Sequence, residues 1–345
     1  MIEKILRGVY EGVELLHVPM RFSREMDEIG SASIGKVIHL FRVIAEIYYF
    51  RFFKKGEVLY YPPAGPNRIP IMRDVIILIS TRWLFNKTVF HFHAGGVSEV
   101  RIKSWLFGFL FRWAYYGSDC AILLSELNPA DGRNLKAKRE IVIPYGIEDN
   151  VVGELIRQSD SSNVKILCVG VIKESKGVLV LLDACRSLKS KGLDFRLEVM
   201  GKFDSLDFEK VVRNLIVEYK LTSHVSILGV LAGDSKWEVF KRADIFCFPT
   251  FFESETFGVV LLEAMQFCLP VVATAWRGIP SIVIDGKSGF LVAPGNSDML
   301  ADKLEILILN SMLRQEMGKF GRNNYLAHFT LNEFRNRMGE IFRTC

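Results

Sequence analysis

Six cysteines in 345 residues, at Cys120, Cys168, Cys185, Cys247, Cys268 and Cys345, show no Cys-x-x-Cys spacing. Five sit in apolar, strand-like or helix-like surroundings, so neither a disulfide framework nor a zinc site has a pattern to rest on, and buried structural thiols are the default reading. No stretch reaches the ~18 uncharged apolar residues that span a bilayer. The first residues mix Glu3, Lys4, Arg7 and Glu11 without a sustained apolar run, which does not read as a secretory leader. A Gly-x-Gly-x-x-Gly turn after a strand is absent, which removes the usual dinucleotide-binding fingerprint. Internal repeats and low-complexity tracts are also missing. A net charge of +5 is modest, and no nucleic-acid-binding motif accompanies it, so nucleic acid is not an expected partner.

What is present is enough apolar sequence for two cores: half of the residues are hydrophobic, and the length is about twice that of an ordinary domain. From residue 164 onward strand and helix patterns alternate. Strands are expected at Lys165 to Gly170, Phe195 to Gly201, Val225 to Gly229, a run ending at Pro249, and Pro270 to Thr274. Helices are expected at Lys176 to Lys191, Phe208 to Leu221, around Lys236 to Arg242, and Gly258 to Phe267. That alternation predicts an α/β, doubly wound parallel sheet. The N-terminal half is less regular, with strands expected at Gly12 to Val18, Glu57 to Tyr61, Asp74 to Ile79, Thr88 to His93 and Cys120 to Leu124. The turn at Pro144-Tyr145-Gly146 and the polar stretch from Asn150 to Asn163 divide the halves, giving domains 1–150 and 151–328 with a cleft between them. Residues 329–345 form a separate C-terminal helix, with Leu331, Phe334, Met338, Ile341 and Phe342 on one face.

Charge is unevenly placed. Between Lys36 and Arg112 twelve Lys and Arg stand against Glu46, Glu57, Asp74 and Glu99. The same region holds Val37 to Phe53 and Ile102 to Tyr116, apolar and aromatic with cations interleaved. Two readings stand side by side: peripheral contact with an anionic membrane surface, or core helices whose Lys and Arg stems reach out to water.

The most informative run is residues 249–265, PTFFESETFGVVLLEAM. A buried strand ends near Pro249 and a helix starts near Gly258, with Thr256, Phe257 and Gly258 at its beginning. Glu255 then lies in the loop and Glu263 about 7.5 Å along the helix. In open α/β sheets ligands sit beyond the carboxyl ends of the strands, where helix N-termini favour phosphate. One acid is placed to reach a sugar and the other a ribose; the plainer alternative is a capping Glu255 and a solvated Glu263. A second loop, Gly170-Val171-Ile172-Lys173-Glu174-Ser175-Lys176-Gly177, also closes a strand and opens a helix, with Lys176 at the helix start, where an ammonium would neutralise a diphosphate. In the N-terminal half, His91 and His93 share one face at the end of a strand.

The 249–265 run resembles the Glu-x7-Glu signature of family-4 retaining glycosyltransferases, with Thr250 where the family has Ser. The 170–177 loop resembles the family's phosphate-binding loop, with Val171 where the family has Arg and Lys173 as the available substitute. Residues 278–292 resemble a third family block, with Arg277 and Ser281 departing from it. The resemblance covers about two thirds of the chain and implies a GT-B fold of two facing Rossmann-like domains. It implies an N-terminal acceptor domain, a C-terminal nucleotide-sugar domain, and a final helix that returns to the first. It implies catalytic roles for Glu255, His93 and Lys176, and donor contacts from Gly170, Lys173, Lys176, Glu255, Thr256, Phe257, Gly258 and Glu263.

The reaction so implied is transfer of a sugar from a nucleotide-diphosphate sugar, with retention, to a glycan or lipid-linked acceptor in polysaccharide or lipopolysaccharide synthesis. Neither Glu is assigned as a nucleophile. No Asp-x-Asp occurs in the chain, so metal-independent chemistry without a cofactor is expected. The expected location is the cytoplasm, with attachment to the inner face of the cell membrane as one of the two readings of the basic N-terminal half. Members of the family start with a strand and a Gly-rich loop, whereas Met1 to Glu11 reads as the tail of a helix, so the first strand is expected to be missing. The alternatives are a catalytically impaired nucleotide-binding protein, favoured by Val171, and a GT-B phosphorylase or epimerase.

Overall fold

A computed structural model of the chain describes residues 2–20, 34–151 and 163–344. The chain divides into two compact units, one of residues 1–144 with the segment from Phe334 onward, the other Tyr145–Glu333. Most of the polar stretch from Asn150 to Asn163 lies outside the described residues, as does Cys345.

The first unit contains α1 (Ile2–Leu6), α2 (Ile34–Phe53), β1 (Val58–Tyr61), α3 (Arg68–Thr81), β2 (Lys87–His91), α4 (Trp105–Tyr115), β3 (Cys120–Leu123), α5 (Asp131–Asn134) and β4 (Glu140–Val142). Its four strands lie parallel in the order β1-β2-β3-β4. Two sequence expectations are corrected here. Asp74 to Ile79 is not a strand but the middle of α3. Its β-branched residues favour a strand in isolation, yet Ile71, Val75 and Leu78 recur at helical spacing and are all buried, and tertiary burial outweighs propensity. Pro70 is tolerated because it falls in the first turn, where its missing N–H costs no helical bond. Buried Asp74 accepts hydrogen bonds from Ala64 N (2.7 Å), Tyr115 Oη (3.2 Å) and the Arg73 guanidinium (2.7 Å), which fixes the helix to its surroundings. Gly12 to Val18 forms no strand either. Apolar alternation needs a neighbouring strand to supply ladder hydrogen bonds, and the sheet begins at β1.

The second unit contains β5 (Val164–Val169), α6 (Val178–Ser190), β6 (Phe195–Met200), α7 (Leu206–Glu218), β7 (Val225–Gly229), α8 (Asp234–Arg242), β8 (Ile245–Phe248), α9 (Val259–Gln266), β9 (Val271–Thr274), β10 (Gly289–Val292), α10 (Ser297–Leu309) and α11 (Ser311–His328). Its six parallel strands run β10-β9-β8-β5-β6-β7. β8 and β9 are buried at every position, as uninterrupted apolar strands covered on both faces must be. Leu181, Leu182, Cys185 and Leu188 give α6 a buried stripe; a fully buried Leu contributes about 1.5–3 kcal/mol. The strand order reverses between β5 and β8, so the connections leaving these two neighbours start side by side and lead to helices on opposite faces of the sheet.

The last helix, α12 (Leu331–Thr344), starts in the second unit and ends in the first. There Phe342 meets the edges of Tyr10 and Tyr60 with ring centroids 5.2 and 5.7 Å away, and Arg335 Nε donates to Lys4 O (3.1 Å).

Candidate active site

The two loops that flank the reversal in strand order are 170–177, after β5, and 249–258, after β8, and they are bonded together. Phe251 N donates to Ser175 O (2.8 Å). Gly177 takes a left-handed conformation (φ +78°), and a Cβ there would lie 2.0 Å from Pro249 O, so only glycine allows the two backbones this close. The end of β9 braces the same loop: Thr274 Oγ1 donates to Thr250 O, and Trp276 Nε1 to Phe252 O (2.9 Å).

This bracing brings the charged groups together. Lys176 Nζ lies 2.5 Å from Glu255 Oε2, with both side chains largely shielded from solvent. Lys173 Nζ stands 4.0 Å from the centroid of the Phe252 ring and Lys176 Nζ 4.8 Å from it, so one aromatic ring holds two ammonium groups. Lys176 also lies 5.6 Å from the Phe248 ring. Beneath them a pocket is lined by Gly170, Val171, Lys176, Val178 and Phe248, and by Cys168, whose thiol burial pushes up to about 12 against the pull of Lys176. That thiol is neutral and unreactive.

Two helices begin at these loops. α6 starts after Gly177 and α9 after Gly258, which is also left-handed (φ +79°), and neither has a side-chain cap. The first-turn N–H groups and the helix dipoles therefore add partial positive charge beside the lysines. Gly170 closes β5 by donating to Met200 O (3.0 Å). Thr256 is buried. Phe257 is 1% exposed and packs edge-on against Tyr145 and Phe329, so its ring belongs to the core and only its backbone faces the loop.

Glu263 is not in the Lys176 cluster. It lies along α9 and pairs through Oε1 with Lys236 of α8 at 2.7 Å, both side chains being mostly buried. The Lys236 ammonium also rests 4.6 Å from the Trp237 ring. The sequence reading missed Lys236 and Phe252. An aromatic three residues before Glu255 was a signal for the latter; nothing in the linear sequence links Lys236 to Glu263.

His93 belongs to the first unit, just beyond β2, with its ring 4.1 Å from that of His91. His91 Nδ1 shares a 2.6 Å hydrogen bond with Tyr60 Oη. Burial depresses both imidazoles, His93 to about 4 and His91 well below the ordinary value, with the neighbouring ring a further cause for His91. Both are neutral near pH 7. Among the described residues, no cluster of three or more His, Cys, Asp or Glu could hold a metal ion.

Residues 155–324 match the family model described as glycosyl transferases group 1. The chain is 32% identical over 216 residues to an uncharacterized glycosyltransferase of Methanocaldococcus jannaschii, an overlap covering 62% of this chain and 56% of the relative. It is 26% identical over 200 residues to the capsular polysaccharide biosynthesis glycosyltransferase CapM of Staphylococcus aureus, covering 58% and 51%. The chain thus spans about half the length of these relatives. Among solved structures, Anabaena HepE in complex with UDP superposes with a TM-score of 0.71 at 19% identity, covering 88% of this chain and 82% of that one. The fold is that of GT-B glycosyltransferases.

Proposed function

We propose that the chain is a retaining glycosyltransferase that moves a hexose from a nucleoside-diphosphate sugar to a glycan or lipid-linked acceptor in polysaccharide synthesis. One observation carries this reading: two ammonium groups stand over a single ring between two uncapped helix starts, at the point where the strand order reverses. Such a cluster suits a diphosphate. The match of residues 155–324, the role of CapM in capsular polysaccharide biosynthesis and the UDP bound to HepE support it.

In the proposed step the bond from the anomeric carbon to the diphosphate oxygen breaks. The acceptor hydroxyl attacks from the side the diphosphate leaves, and its proton passes to the departing phosphate oxygen. Lys176 and Lys173 stabilise the charge growing on that oxygen, a task that in other enzymes falls to a divalent cation, so the reaction is proposed to run without one. Glu255 Oε1 and the Thr256–Gly258 backbone hold the sugar hydroxyls, and Glu263 Oε2 the ribose. The role proposed for His93, contact with the donor sugar, rests on the motif resemblance. The proposed site of action is the cytoplasm.

A thermal-shift screen of UDP-, GDP-, ADP- and CDP-sugars, followed by NMR of the product's anomeric configuration, tests the reading. Stabilisation by one donor and a product with the donor's anomeric configuration are expected, with activity unchanged by excess chelator. Inversion at the anomeric carbon, or nucleotide binding without any turnover, would overturn it.

A further inference from the structure

Helices α2, α3 and α4 form one layer of the first unit. Val43 and Ile47 of α2, Ile71 and Val75 of α3, and Phe111 and Ala114 of α4 share one core with Tyr61, Phe90 and Ala121. Those last three lie side by side on β1, β2 and β3, so all three helices cover the same face of the sheet. α3 packs between α2 and α4.

With its inner side buried, such a layer should be polar outside. It is not. On α2 the outward stripe is Ile38, Phe41, Tyr49 and Phe52, at helical spacing. On α3 it is Ile69, Met72 and Ile76, continued by Trp83 in the turn that follows. On α4 it is Trp105, Phe109 and Trp113, with Trp105 84% exposed. Each helix is thus apolar on both sides, and three such stripes on adjacent helices exceed the single exposed apolar residues normal on a soluble surface.

Cations surround it. Lys54 and Lys55 are exposed at the end of α2, Arg68 at the start of α3, Lys103 just before α4, and Arg112 within it. The acids of this region are fewer and partly engaged: Asp74 is buried and Glu46 is paired with Arg42. A second copy of the chain laid on this patch would bring like charges together, whereas an anionic surface complements them. Among the described residues no helix is long and apolar enough to cross a membrane.

We propose that the outer face of α2, α3 and α4 docks on an anionic lipid bilayer, its Trp and Phe side chains seated at the headgroup level and its Lys and Arg on the lipid phosphates. This goes beyond the sugar-transfer reading and stands or falls separately from it. The test is flotation of the full chain with vesicles of phosphatidylcholine alone and of phosphatidylcholine mixed with phosphatidylglycerol. The chain is expected to float with the mixed vesicles at low salt, to be released at high salt, and to show a blue-shifted tryptophan emission when bound. The Trp105→Ser, Phe109→Ser, Trp113→Ser triple variant, altered only at exposed positions, is expected to keep the wild-type melting temperature and to lose vesicle affinity about tenfold or more. Lys54→Glu with Lys55→Glu is expected to weaken binding to the mixed vesicles. Absence of wild-type flotation, equal flotation of the triple variant, or a dimer in solution that the triple variant dissociates would overturn the proposal.

Discussion

Lys176 and Glu255 form an ion pair of 2.5 Å between two loops that are 79 residues apart in the chain and meet where the strand order reverses. Breaking a partly buried pair exposes what each partner does. Lys176→Ala is expected to lower kcat on the cognate nucleotide sugar by about 100-fold or more, the usual effect of removing a group that stabilises transition-state charge. Lys176→Arg should recover part of that loss. Steady-state kinetics decide; a wild-type kcat in Lys176→Ala would remove this residue from the mechanism.

Phe252 holds both Lys173 and Lys176 by its ring face. Phe252→Leu keeps the apolar bulk and removes the quadrupole, at about 1 kcal/mol. The expected result is a donor Kd raised roughly fivefold with little change in unfolding free energy, measurable by calorimetry and urea titration. An unchanged Kd would show that the ring merely packs.

Gly177→Ala combines a left-handed backbone with a Cβ that meets Pro249 O. The conformational term alone costs about 1–2 kcal/mol, and the clash adds to it. A melting temperature several degrees lower is expected, with donor affinity falling as the 170–177 and 249–258 loops separate. Wild-type stability would contradict the close approach.

The Lys236–Glu263 pair is largely shielded from solvent. Lys236→Met leaves the carboxylate without its cation and is expected to destabilise by about 1–3 kcal/mol. Lys236→Met combined with Glu263→Gln should recover much of that loss, because the stranded charge is gone. Chemical denaturation of the three variants is the measurement, and simple additivity of the two substitutions would reject the coupling.

The His91 and His93 rings predict an acid-sensitive first unit. Both are held neutral by burial, His93 down to about 4, while the unfolded chain takes up protons below about 6.5. Between those values the unfolded state binds more protons, so stability present above about 6.5 is lost as pH falls toward 4. For His93 the loss by pH 4 is on the order of 3 kcal/mol. His93→Gln should flatten the profile of unfolding free energy against pH, and an unaltered slope would assign the acid sensitivity elsewhere.

Much of the second unit was legible in the sequence. β8 is a continuous apolar run, β5 is apolar but for Lys165, and β6 alternates, with Arg196 and Glu198 between apolar positions; each ends at Gly or Pro, and an apolar stretch marks the helix that follows. Positions bearing chemistry fell in the loops after β5 and β8, because in a parallel sheet every strand delivers its loop to the same edge. The first unit was harder to read. α3 is rich in Ile and Val, and only its packing against β1 and β2 separates a helix from a strand there. Gly12 to Val18 has the alternation of a strand without a neighbour to complete it.

The linear order of residues by itself determined the alternation of elements, the loops that carry Lys173, Lys176 and Glu255, and the cationic, aromatic character of α2 and α4, because each is a matter of local periodicity and composition. Tertiary structure alone decided which charges meet. It paired Lys176 with Glu255 but Glu263 with Lys236, slid the Phe252 ring beneath two ammonium groups, and turned the stripes of α2, α3 and α4 to one side. Those outcomes follow from the strand order β8-β5 and from helix packing, which join residues far apart in the chain and so leave no trace in its local pattern.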